Sequence, residues 1–345
     1  MTEPKRVVVV HLYRPNTLEQ ILARLQAGKR PPETEIFIGS YGIRRRHATL
    51  IDAIPGAHYA PTFHLAPKRN ARIRSGRLDL PKGTPPFDRA FAGPFPADPS
   101  VPWLPKEKPR AWGFEIGRRF RDQLRAAQKM QPLIANWQLD EIPREGGNGI
   151  HAHPNPKRRA QFRLFVGGVI RGIAEGRPRF GDKPLKGFVW ISEEALETLP
   201  GLPDVREVKI FWEDVDAGAR YLVGEEYPKF LKGTATAAAN ALARPQTQLA
   251  RSGSGPRQAL AKRYVVGMTP GWHRPKDSGL NGNIGGLKLP GVAAWRKEFI
   301  TARTRAQRPC GYGMFHFDGD FNTIPARIDE AIGALNFAAK KHAAP

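Results

Sequence analysis

Residues 111–130 read AWGFEIGRRFRDQLRAAQKM, and their opening AWGFEIG has the short, aromatic-rich look of a strand. The apolar residues beyond it settle the choice. Trp112, Ile116, Phe120 and Leu124 recur at every fourth position, which draws one stripe along a helix. The segment is therefore read as a helix, Trp112–Met130, and the number of expected strands stays at eight.

Those strands are Val7–Tyr13, Glu35–Tyr41, His58–Leu65, Ile134–Ile142, Gly187–Ser192, Val208–Val215, Tyr264–Thr269 and Gly311–Asp318. Each is short and rich in β-branched or aromatic residues. Between the first two, Leu18, Ile21, Leu22 and Leu25 share one face, with Asn16 and Glu19 as a capping pair before Gly28, so Thr17–Ala27 is a helix. Further helices are expected at Arg45–Ile54, Lys157–Glu175, Glu193–Leu199, Ala219–Leu231 with Ala235–Ala250, Val292–Ala306 and Ile324–Lys341. Strand and helix alternate to the end, which predicts the α/β class. The expected architecture is a single (β/α)8 TIM barrel spanning 1–345, with an open doubly wound sheet as the rival. Two connections are long: a Pro-rich insertion at 66–110 after the third strand and a Gly-rich loop at 271–291 after the seventh. In a barrel both emerge on the C-terminal face. Ser252–Pro256 (SGSGP) reads as a flexible linker.

The 345 residues carry a formal net charge of +23 and 40% hydrophobic residues, a composition that supports a large core and excludes a disordered chain. No apolar run approaches the length of a membrane span, and MTEPKRVVVVHLYRP is no secretory signal. The expectation is a cytoplasmic protein, with non-classical export left open. The single cysteine, Cys310, rules out intrachain disulfides and cysteine-based zinc clusters. GxxxxGK[ST] and GxSxG are both missing, so neither a phosphate loop nor a nucleophile elbow is expected, and no cofactor is.

Polar residues gather toward the C-terminal ends of the expected strands. His11 and Tyr13 close the first, Thr62 and His64 the third, Asn136, Gln138, Asp140 and Glu141 the fourth, Glu213 and Asp214 the sixth, His316 and Asp318 the eighth. Side chains alternate along a strand, so Asn136, Gln138 and Asp140 fall on one face, read as the inner one, and Trp137, Leu139 and Glu141 on the other.

The run Trp137-Gln138-Leu139-Asp140-Glu141 at the end of the fourth strand resembles glycoside hydrolases of the (β/α)8 type. That resemblance implies a general acid/base carboxylate at this strand end, here Glu141, and a glycoside or polysaccharide substrate. Such enzymes commonly carry a second carboxylate on strand seven, where this chain has Tyr264-Val265-Val266-Gly267-Met268-Thr269 and no acid. The second carboxylate is then sought among Asp140, Glu213, Asp214 and Asp318. His11, Tyr13, His64, Gln138, Trp272 and His316 are the expected substrate-binding residues.

Two other readings stay open. A barrel that binds saccharide or a polyanion without cleaving it fits the missing strand-seven acid. A metal-dependent hydrolase could draw on His11, His64, His151, His153, His316 and Asp318, but no HExxH occurs and no metal is expected. The basic surface would attract nucleic acid, yet an acidic stretch from Trp190 to Phe230 and the lack of a recognisable module argue against that role. Oligomeric state is not legible.

Overall fold

The computed structural model describes residues 6–12, 19, 22–23, 34–40, 45–64, 108–130, 136–140, 156–175, 179–180, 183–184, 186–192, 206–225, 245–268 and 311–314. In order these form β1 (Arg6–Leu12), β2 (Thr34–Ser40), α1 (Arg45–Asp52), β3 (Ala57–Tyr59), β4 (Thr62–His64), α2 (Pro109–Met130), β5 (Asn136–Asp140) and α3 (Pro156–Ala174). Then follow β6 (Arg179–Phe180), β7 (Lys183–Pro184), β8 (Lys186–Ser192), α4 (Arg206–Gly218), β9 (Tyr221–Glu225), α5 (245–251), α6 (Gly255–Ala261), β10 (Tyr264–Met268) and β11 (Gly311–Met314). Residues 19, 22 and 23 are helical, within the helix expected there. Among the described residues no helix is long and apolar enough to cross a membrane.

The protein is an α/β fold built on a parallel sheet. Nine strands pair in the order β3-β2-β1-β11-β10-β9-β8-β5-β4, and β6 with β7 makes a separate antiparallel pair. The two ends of that order, β3 and β4, are separated in the chain by Ala60 and Pro61 alone. Hydrogen bonding passes from one side to the other there: the Ala60 amide donates to the Ile38 carbonyl of β2 at 2.9 Å, and the Gln138 amide of β5 donates to the Pro61 carbonyl at 2.9 Å. Proline has no N–H to give a ladder, and it sits where the pairing changes partner. Gly56, at φ 76°, turns the chain from α1 into β3 through a backbone region open to glycine.

One face of the sheet is turned in on itself. Val7, Val9, Phe37, Ala60, Phe188, Trp190, Tyr221, Val223 and Val265 form one buried cluster. Phe37 of β2 meets Phe188 of β8, ring centroids 4.6 Å apart, although the two strands stand far apart in the pairing order. Phe188 stacks in turn on Tyr221 at 5.2 Å. The other face receives helices: Phe63 of β4 stacks on Phe120 of α2 with centroids 4.8 Å apart and planes at 6°.

The stretch Val208–Val215, expected as the sixth strand, is helix α4. Its apolar residues Val208, Phe211, Trp212 and Val215 are buried at spacings of three, four and seven, the signature of a helix face. The sixth strand of the alternating series is instead Tyr221–Glu225, within the stretch expected as the helix Ala219–Leu231. Residues 221–224 are all buried, so the strand reads as a continuous apolar run with no alternation to mark it. Ser252–Pro256 is likewise no plain linker, since Gly255 and Pro256 open α6; proline suits a first helical turn, where its missing N–H has no partner to lose. Helix α2 starts at Pro109, three residues ahead of the expected Trp112. The helices expected at Glu193–Leu199, Val292–Ala306 and Ile324–Lys341, the loop at 271–291 and most of the insertion at 66–110 lie outside the described residues.

Helices α2 and α3 touch backbone to backbone. A Cβ at Gly113 or Gly117 would collide with the carbonyl oxygens of Phe165 and Val169, and one at Gly168 or Gly172 with those of Arg110 and Phe114. Glycine at spacing four on both helices lets the axes approach more closely than side chains permit. Glycine lowers helix propensity by about 1 kcal/mol relative to alanine, so an open site would gain from the change to alanine. At Gly172 the collision dominates: Gly172→Ala is expected to lower stability by about 1–3 kcal/mol, read as an earlier midpoint in urea unfolding. Gly253→Ala, with nothing within 4 Å of the added methyl, is expected to leave the midpoint in place.

Candidate functional site at the strand ends

All pairings in the large sheet are parallel, so every strand delivers its last residues to the same edge. His11 is the penultimate residue of β1, paired with Gly39. His64 ends β4 and pairs with Asp140, which ends β5. Ser192 ends β8 and pairs with Glu225, which ends β9. The sheet thus brings His11, His64 and Asp140, three of the expected site residues, to one edge. Glu225 joins them there without having been singled out in the sequence.

Just beneath that edge lies a polar group set into the buried core. Gln138 is 0% exposed, and its Oε1 accepts a hydrogen bond from Trp190 Nε1 at 2.8 Å. An indole nitrogen only donates, so this bond fixes which end of the amide is oxygen. The opposite end, Nε2, lies over Gly39, where a Cβ would come within 2.5 Å of it and 2.6 Å of Thr62 Oγ1. A glycine in β2 is what lets Gln138 and Thr62 occupy this space. Thr62 is also 0% exposed, and its hydroxyl has no hydrogen-bond partner. A buried hydroxyl left unpaired costs on the order of 1–3 kcal/mol, and the buried layer at Thr62 bears that cost. Two residues lower on β5, Asn136 Nδ2 donates to the Tyr59 carbonyl at 3.4 Å.

The alternation expected for β5 holds where side chains are described. Asn136 and Gln138 belong to the inner set, while Trp137, buried at 1%, packs its ring against Gly187 on the helix-facing side. Asp140 follows in the series of Asn136 and Gln138.

Glu213 and Asp214 are relocated by the change from strand to helix. Glu213 is exposed on α4, and its place at a strand end, the reason for proposing it, is gone. Asp214 is buried at 3% and accepts two hydrogen bonds of 2.7 Å from Nε and Nη2 of Arg110, tying α4 to the start of α2. The Arg110 guanidinium is held above its usual pKa, chiefly by the hydrogen bond to Asp214 and against the lowering effect of burial, with the charges of Asp214 and Glu213 adding to it. A raised folded pKa means that the guanidinium's contribution is complete below its unfolded value and is lost only in strong alkali. This pair belongs to the scaffold. Glu141, Asp318, Tyr13, Trp272 and His316 lie outside the described residues, as do His151 and His153.

His58 Nε2 and Glu35 Oε1 stand 3.8 Å apart toward the opposite edge, near the starts of β2 and β3. Among the described residues no group of three or more histidine, cysteine, aspartate or glutamate residues is arranged to hold a metal ion.

No protein-family model and no curated protein matches the chain. Among solved structures, it is similar over 96% of its length to an endo-beta-N-acetylglucosaminidase from Cordyceps militaris in apo form, at 10% identity, 91% coverage of that chain and a TM-score of 0.43. It is also similar to a putative fructose-1,6-bisphosphate aldolase from Coccidioides immitis, at 11% identity, 99% and 89% coverage and a TM-score of 0.36.

Three substitutions separate polar layer, scaffold and exposed surface. Trp190→Phe keeps the aromatic volume and removes the bond that orients Gln138; a loss of about 1–3 kcal/mol is expected, measured by chemical denaturation. Asp214→Ala removes a buried acceptor from a half-exposed arginine, and solvent screening of Arg110 limits the expected loss to about 1–2 kcal/mol. Glu213→Gln, on the exposed side of the same helix, is expected to leave the denaturation midpoint unchanged.

Proposed function

We propose that the chain forms a closed (β/α)8 barrel and acts as a glycosidase-like hydrolase on a glycoside or polysaccharide. Closure is supported by following the register around the strands. Val9 pairs with Phe37 and Phe37 with His58; Thr62 pairs with Gln138, Gln138 with Phe188 and Phe188 with Tyr221; Val223 pairs with Val265, Val265 with Gly311 and Gly311 with Val7. The circuit climbs four residues from His58 to Thr62 and two from Tyr221 to Val223, yet returns two residues below its start. Its stagger is therefore eight residues. With β3 and β4 taken as one strand, eight strands and a shear of eight are the relation that defines this barrel.

The observation that carries the function is the place of Asp140. It ends the fourth barrel strand in series with Gln138, above a buried polar layer in which the Thr62 hydroxyl lacks a partner. In glycosidic cleavage a protonated carboxyl gives its proton to the departing oxygen, and a second carboxylate activates water or attacks the anomeric carbon. Asp140 and the adjacent Glu141 are assigned to this work, with His11 and His64 holding substrate above the buried Gln138.

The test is release of product from a panel of polysaccharides and nitrophenyl glycosides. Asp140→Asn and Glu141→Gln are expected to lower kcat by about 10²–10⁴-fold for whichever group moves the proton. Equal release by the parent protein and both variants would falsify the assignment. Activity that disappears on chelation and returns with zinc would move the protein to the metal-dependent reading. Retention of a polysaccharide without any product would make it a binding barrel.

A further inference from the structure

We draw no further inference here: the strongest candidate, the buried side-chain cluster of Thr62, Gln138 and Trp190 beneath the C-terminal strand ends, belongs to the candidate site already described and packs against Gly39 inside the core.

Discussion

Every backbone donor and acceptor in a buried parallel sheet needs a partner, and the stretch Ala57–His64 meets that need at both ends of the strand order. Its first half bonds to β2 and its second half to β5, with the exchange made at Ala60 and Pro61. A residue with an N–H at position 61 would have a donor to place at the moment the ladder changes sides. Proline has none. The inner cluster depends on this exchange, because it sets β2 and β5 on either side of one segment and so brings Phe37 within reach of Phe188.

Around that sheet the helices are spaced by what they lack. Gly113, Gly117, Gly168 and Gly172 let α2 and α3 meet through their backbones, and Gly167 opens the neighbouring side of α3 to Asp214 of α4. The Arg110–Asp214 bond then links α4 back to α2. Midway along α2, Arg121 bonds to Glu175 just beyond α3. Three successive helices are held as one layer, and Phe63 against Phe120 fastens that layer to the strand bearing Thr62 and His64.

Much of this was legible from residue spacing. The four-residue stripe from Trp112 to Leu124 marked α2, and Ile116, Phe120 and Leu124 are indeed buried at 1% or less. Alternation along Asn136–Asp140 put Gln138 inside, where it is found. The failure at Val208–Val215 has a physical cause: β-branched and aromatic residues favoured a strand, but burial at helical spacing outweighed that preference. The same error hid Glu225, since a strand buried on both faces shows no period of two. Gly218, with the run Tyr221-Leu222-Val223-Gly224 beginning three residues on, was the available signal, a helix stop before a short apolar run. The Trp190–Gln138 bond and the unpaired Thr62 hydroxyl had no sequence signature, because they join strands through space.

The pairing of β1 with β11 has a consequence for how the chain folds. Val7 bonds beside Gly311, so the first described strand finds one of its neighbours only after the last described strand has been made. During synthesis β1 can pair with β2 early, but its other edge stays bare through most of translation. Contacts of such long sequence separation slow folding, and a bare edge of valines, Val7 to Val10, invites pairing with other chains. The arrangement that completes the sheet thus leaves that edge open to mispairing until the last described strand emerges.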